Sequence, residues 1–313
     1  MKCVCNKAEY RKKSREIAKN DPTRTLALRN RFVREMEKRF AYVKRMILEE
    51  VGRKDMFAIG RPSVVQNARI DRNTQVFTKS DRKIEDFGKW VDQMVQEGVL
   101  TAYHGPQRMI TSTGRWTDIY VQSAYKAGLA RAEKEMKRSG MKGTLQEGKF
   151  ISSLWELPVH SDRIAILYGR AYENLKGITR EMGTKMSQTF AQGMADGEGP
   201  MAMARDLVKQ IDIPRNRANM IARTETIRAH HEGLVNSYRE AGVYGVTVMA
   251  EWSTAGDDRV CERCDDLQGK IFTLDAIQNL IPLHPQCRCV ALPVVDEDRM
   301  KDAIDVDEAE KYA

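Results

Sequence analysis

Aromatic residues are few in this chain, 7% of 313 positions. Large all-β folds draw heavily on aromatic and β-branched residues, so their scarcity argues against one. Nor does any apolar run approach the ~18–20 residues that a membrane-crossing helix requires, and no membrane is expected as a partner. Cysteine is equally sparse, with six in all. The opening Met-Lys-Cys-Val-Cys-Asn-Lys is too polar for a secretory signal. The expected compartment is therefore a reducing cytoplasm, where clustered cysteines bind metal or stay thiols more often than they form structural disulfides.

Charge is plentiful, at 31% of residues, and unevenly placed. Residues 1–54 hold 17 Lys/Arg against 7 Asp/Glu, whereas residues 296–313 hold 8 acidic and 3 basic side chains. A basic head suits nucleic acid or an acidic protein surface, although a solvated, charge-laced helix has the same composition. Lys, Arg, Glu, Ala and Met dominate the first two thirds, and these residues favour helices.

The apolar spacing supports that. After a basic arm over 1–20, Asp21-Pro22 has the pattern of an N-cap and first helical residue. Leu28, Phe32, Met36, Val43 and Ile47 then share one helical face. Residues 52–79 read as irregular or as a hairpin, with Gln75-Val-Phe-Thr78 strand-like. Further helices are predicted from Ser80, over 116–138, from Ser161 to about Gly193, over 201–210, and from Asp212-Ile-Pro214 to Ala241. The pattern then changes: Val243–Trp252 and Cys289–Val294 read as strands, with a short helix over 274–280 between them.

The expected fold is mainly α, an elongated helical N-terminal body followed by a small α+β C-terminal domain bearing a zinc-knuckle-like Cys/His cluster. Its divisions are an arm (1–20), a helical region (21–158), a long connecting helix (159–199), the cluster-bearing domain (200–295) and an acidic tail (296–313).

The cluster carries the chemistry. Cys261 and Cys264 have C-x2-C spacing, and His284, Cys287 and Cys289 follow within 25 residues of Cys264. A tight turn at each half aims soft donors at one ion, and tetrahedral zinc takes four of them. Five candidates thus compete for four places. Cys261, Cys264, His284 and Cys287 are favoured, because both halves then use the same two-residue gap, and Cys289 is the alternative to His284 or Cys287. Reduced thiols or disulfides are the simpler reading of the same residues.

Two other groups stand out. Arg11, Lys12, Lys13, Arg31, Arg34, Lys38 and Arg45 form the basic surface expected to meet DNA or an acidic protein. Arg223, Glu225, Arg228 and Glu232 lie on one predicted helix, where Arg228 and Glu232 are spaced as an ordinary ion pair. His230 and His231 keep a metal-dependent nuclease open as an alternative, and a zinc-bearing DNA-binding protein is another.

Ala222-Arg-Thr-Glu225, Ala250–Cys264, Leu267-Gln-Gly269 and His284-Pro-Gln-Cys-Arg-Cys289, in this order and spacing, closely resemble the Mu F-like phage head morphogenesis family. Asp21-Pro-Thr-Arg-Thr25, Arg31-Phe32 and Trp116–Ala130 look like the N-terminal half of its longer members. The resemblance implies a non-enzymatic minor head protein of a tailed bacteriophage. Such proteins bind the portal, meet the major capsid or scaffolding protein, and influence DNA packaging or release. It implies assembly in the host cytoplasm and residence in the virion, at the capsid interior or portal vertex. Some members carry an added enzymatic domain, and the stretch after Val294 is too short for one.

Overall fold

The computed structural model describes residues 22–60, 74–101, 115–139, 158–211, 215–243 and 247–312. The basic arm, with Arg11, Lys12 and Lys13, the Cys3/Cys5 pair, Gly105-Pro106, and most of the stretch from Gly140 to Pro158 lie outside them. Among the described residues, six α-helices come first: α1 Leu26–Ile47, α2 Thr74–Val95, α3 Asp118–Arg138, α4 Pro158–Asp196, α5 Pro200–Lys209 and α6 Arg215–Val243. A small region follows, of β1 Met249–Ser253, α7 Glu262–Asp265, β2 Ile271–Phe272, α8 Leu274–Gln278 and β3 Val290–Val294. Two short helices, α9 Glu297–Met300 and α10 Val306–Ala309, complete it. The fold is mainly α with one small antiparallel sheet, as expected.

Four boundaries depart from the sequence reading. Pro22 is not the first helical residue: it lies in a turn, and α1 begins four residues later at Leu26, while Asp21 lies outside the described residues. Gln75–Thr78 is helical, because α2 begins at Thr74 and carries this β-branched piece into its first turns. The predicted strand from Val243 is shorter: Val243 still ends α6, and β1 begins at Met249. Finally, α4 starts at Pro158, three residues before Ser161, since proline suits the first turn of a helix, where no N–H is needed.

The chain divides into two compact units. Residues 33–116 and 172–218 make one. Its core is aromatic: Phe87 stacks on Phe190 at 4.1 Å, and Phe57 meets both rings edge-on at 5.6 and 5.5 Å. Phe87 and Phe190 are wholly buried, each contributing roughly 1.5–3 kcal/mol. The indole N–H of Trp116 donates to the Val99 carbonyl at 2.7 Å, so this buried ring keeps its polar atom satisfied.

Residues 1–32, 117–171 and 219–313 make the other unit. Here α3 and α6 cross in backbone contact at Gly128 and Gly233. A Cβ on Gly128 would strike the His230 carbonyl, and one on Gly233 the Tyr125 carbonyl. A buried polar chain ties the same elements to α4. Asn236 Nδ2 donates to Tyr125 Oη at 2.8 Å, Tyr125 Oη lies 2.6 Å from His160 Nδ1, and His160 Nε2 lies 2.7 Å from Glu240 Oε1. Because Asn236 already donates to the phenol, the tyrosine proton points at His160 Nδ1, and Nε2–H serves Glu240. Burial pushes the Tyr125 phenol far above its ordinary range, so it stays protonated.

The sheet has the order β2-β1-β3, all antiparallel, with Trp252 opposite Ala291 and Glu251 opposite Leu292 and Ile271. Edge strand β3 is blunted. Pro293 has no N–H to offer, Ser139 Oγ donates to the Pro293 carbonyl at 3.2 Å, and Tyr238 Oη donates to that of Ala291 at 3.3 Å. On the β2 side, Ile304 bridges Phe272 in parallel, and its N–H and C=O bond to Ile271 and Thr273 at 2.9 Å each. The acidic stretch after Val294 is thus folded, and it places Ile304 and Ala309 in the same apolar cluster as Trp252, Leu267 and Phe272.

Candidate metal centre

The first half of the cluster hangs from the β1–β2 connection. Trp252 N–H bonds to the Lys270 carbonyl at 2.8 Å and Gly269 N–H to the Trp252 carbonyl at 2.9 Å, so the hairpin is closed beyond the strands themselves. Gly269 has φ +81°, a conformation in which a side chain would be strained. Gln268 Oε1 accepts from both the N–H and the hydroxyl of Thr254, at 2.7 and 2.6 Å, pinning the loop between them. Within that loop Cys261 is the N-cap of the one-turn helix α7. The N–H groups of Cys264 and Asp265 both reach its carbonyl at 3.0 Å, which places the Cys261 and Cys264 side chains on one side of the turn.

The second half is the turn His284-Pro-Gln-Cys287, closed by Cys287 N–H to the His284 carbonyl at 3.1 Å. Gln286 adopts φ +67°, and its backbone is held from α6: its N–H points at Thr224 Oγ1 (3.4 Å), and Arg223 reaches its carbonyl and side-chain oxygen (3.5 and 3.4 Å). Arg288 stands between the last two cysteines and pairs with Asp257 through two hydrogen bonds of 2.5 Å. That guanidinium holds the Asp257 carboxyl well below the usual carboxylate range.

All five sequence-predicted donors come together. Cys261, Cys264 and His284 have ligand atoms mutually within 4.8 Å, and so do Cys264, Cys287 and Cys289. Cys264 belongs to both groups. His284 Nε2 lies 3.1 Å from Cys261 Sγ and 3.2 Å from Cys264 Sγ, and the Cys264 and Cys287 sulfurs are 4.0 Å apart. Donors on a tetrahedral zinc at ~2.3 Å are ~3.8 Å apart. The spacing therefore fits one ion with modest side-chain adjustment. His284 Nδ1 lies 2.8 Å from the Pro285 carbonyl and, as its donor, leaves Nε2 with a lone pair facing the sulfurs.

Among the inner thiols, donation to Cys287 pushes the Cys264 thiol up, and acceptance from Cys264 holds Cys287 down. Cys289 is pushed up by its contacts with Cys264 and Cys287, with burial adding to the effect. The residues can hold a metal ion, and the sulfur-rich set suits a soft or borderline one.

The remaining sequence-predicted residues go elsewhere. Glu225 is buried, and Glu232 accepts from Gln278 Nε2 at 3.3 Å. Arg228 Nε is buried without a hydrogen-bond partner, and burial lowers its pKa. His231 Nε2 donates to the Ile277 carbonyl at 2.9 Å, and burial pushes this histidine down to about 4. His230 is buried too, lowered well below its ordinary value by that burial. Neither is in a donor group among the described residues. On α1, Arg31, Arg34, Lys38 and Arg45 are exposed. Asp257, Gln268, Thr224 and Gln286, which shape the two halves, have no individual role in the sequence reading, although all four lie in the stretches that carry the family resemblance.

Residues 184–292 match the family model described as Phage Mu protein F like protein. The chain carries a Mu F-like region. This bears out the resemblance read from Ala222–Glu225 and the two cysteine pieces, all of which lie inside the match. The Mu F-like region runs from the last turns of α4 into β3, so both halves of the donor cluster and the α6 residues that hold the second half fall within it. Comparison with curated proteins and with solved structures returned no match. Among the described residues, no helix is long and apolar enough to cross a membrane.

Proposed function

We propose that this is a non-enzymatic minor head protein of a tailed bacteriophage, which binds the portal during head assembly and takes part in DNA packaging or release. The observation that carries this reading is the Mu F-like match over residues 184–292. Several features support it. The donor set, three or four cysteines with one histidine, is of the kind that closes around structural zinc, whereas catalytic zinc needs an open coordination place. When bound, the ion would supply cross-linking between the two halves of the cluster, and this chain's own Asp257, Arg288, Thr224 and Gln268 orient them. A single small sheet is a limited core, and such a cross-link stabilises it. The exposed basic residues of α1 suit an acidic portal surface, a scaffolding or major capsid protein, or packaged DNA. Contact with DNA there would be sequence-independent and weakened by salt.

The test is quantitative mass spectrometry of density-purified particles and procapsids, counting this chain against the major capsid protein. A few copies per particle support a minor head component at the capsid interior or portal vertex. Absence from both particle types overturns it and would move attention to cleavage of plasmid DNA in Mg2+ or Mn2+.

A further inference from the structure

The two thiols of the C-x2-C turn differ sharply in access. Cys261 is exposed, whereas Cys264, Cys287 and Cys289 are 3%, 1% and 3% exposed. The Cys261 and Cys264 sulfurs lie within 4.8 Å of each other, on one side of a single helical turn whose N–H groups fix their separation. The other two thiols are enclosed in the apolar cluster with Trp252, Leu267 and Phe272. An accessible sulfur backed by a buried one at this spacing is the arrangement in which a first oxidation is trapped as a disulfide rather than carried further.

We propose that Cys261 and Cys264 form an oxidation-sensitive pair: a peroxide converts them to a disulfide and removes both from the donor set, while Cys287 and Cys289 stay reduced in the core. The Cys261 sulfur, losing its proton, attacks one peroxide oxygen. The O–O bond breaks, and the departing hydroxide takes the proton to leave as water, giving a sulfenic acid. The Cys264 sulfur then attacks the Cys261 sulfur. Its own proton goes to the leaving hydroxyl, a second water forms, and the S–S bond closes. Two thiols lose two electrons, and hydrogen peroxide is reduced to two waters. The loop so closed replaces one cross-link by another, local to the turn, and frees His284 and the Cys287 turn from it. Ion release rests on the metal reading above, and disulfide formation does not. For a head protein, the change would accompany passage from the reducing cell to an oxidising medium.

Trypsin separates the four cysteines, since cleavage after Arg259, Arg263, Lys270, Arg288 and Arg299 puts each in its own peptide. Full-length reduced protein, its zinc content measured beforehand, is exposed to hydrogen peroxide. Zinc release is followed with a chromogenic chelator, and linked peptides are identified by mass spectrometry. The expected result is a link between peptides 260–263 and 264–270 that forms in step with zinc release. A link through any other cysteine, release with no link, or no oxidation of either thiol overturns the proposal. Protein that contains no zinc yet forms the link retires the metal reading and leaves the thiol pair standing. In Cys261→Ser, oxidation of Cys264 should slow about tenfold or more, because the first acceptor of oxygen is gone. An unchanged rate would overturn the proposal even if the variant holds no metal.

Discussion

Asp257 and Arg288 are joined by two hydrogen bonds of 2.5 Å, and through them the loop before Cys261 grips the residue between Cys287 and Cys289. Both side chains are only 14% exposed. The pair thus fixes the approach of the two halves of the cluster whether or not an ion is bound. Asp257→Asn keeps the shape and removes the charge, and it should destabilise the C-terminal region by about 1–2 kcal/mol. The sign with pH follows from the depressed carboxyl. The charged pair contributes fully above the unfolded carboxylate pKa of about 3.9. Its contribution falls as pH drops below that value and is gone below the folded pKa. The gap between the denaturant midpoints of wild type and Asp257→Asn should be narrower at pH 3 than at pH 7, without closing, because pH 3 still lies above the folded pKa. A gap unchanged by pH would show that the charge is not what the pair supplies.

Gly128 and Gly233 make a second, geometric prediction. Each lets the opposite helix backbone approach where a Cβ would collide with a carbonyl, and no flexible side-chain end is available to yield. Gly128→Ala or Gly233→Ala should each cost about 3 kcal/mol, measured by urea unfolding, by forcing α3 and α6 apart. At an ordinary exposed helix position the same change would stabilise by about 1 kcal/mol, so even the sign tests the crossing.

Much of this was readable in advance, and the failures have physical causes. The helices over 116–138 and 161–193 announced themselves because their apolar residues repeat with helical period over many turns. The donor cluster was legible because C-x2-C and H-x2-C spacings carry their own geometry. Gln75–Thr78 reads as a strand because three of its four residues, Val76, Phe77 and Thr78, are β-branched or aromatic, and so short a piece carries no helical period of its own. The mutual approach of Gly128 and Gly233 was invisible, since a glycine inside a helix carries no sign of what passes it. The stretch after Val294 reads as solvated charge because its three anchors, Ile304, Ala309 and Tyr312, are spaced too widely to form a periodic face.

Those anchors give the third prediction. Tyr312 meets Phe272 edge-on at 6.4 Å and lies under Lys270 Nζ, 4.5 Å from the ring centre. Lys270 Nζ also donates to its hydroxyl at 3.1 Å, and Arg263 Nη2 to its carbonyl at 3.3 Å. Ending the chain at residue 301 would expose one face of β2 and remove a buried isoleucine worth about 1.5–3 kcal/mol by itself. The truncated protein should lose at least that much stability, and proteolysis should cut it first around α7 and β2. A truncation with an unchanged melting profile would return this stretch to the status of a tail.

Cys264 belongs to both donor groups, whereas each of the other four belongs to one. Replacing it should therefore do more than replacing any neighbour. Cys264→Ser is expected to lose the bound ion under reducing conditions, and chelator treatment of the wild type should imitate it. Cys289→Ser should retain the ion if His284 and Cys287 complete the set. Metal content by elemental analysis, with the fluorescence of Trp252, buried in the same cluster, as a local reporter, separates these cases. Retention of a full equivalent of zinc by Cys264→Ser would remove it from the set.

The basic face of α1 can be tested without disturbing the fold. Arg34 and Arg45 are exposed, and Lys38, whose side chain is 77% exposed, lies 4.0 Å from Glu35. Replacing all three by glutamine keeps their length and their helix propensity, so stability should change by no more than about 0.5 kcal/mol. If this face meets the portal or packaged DNA, incorporation into procapsids should fall by about tenfold, the equivalent of roughly 1.4 kcal/mol of lost contact energy. Retention of the purified protein on a DNA column separates the two partners. Reduced incorporation with unchanged DNA retention assigns the surface to an acidic protein partner, whereas a parallel loss, with a shallower salt dependence, assigns it to nucleic acid. Incorporation at the wild-type level would leave these residues as a solvated helix face and shift the search to the arm that precedes them.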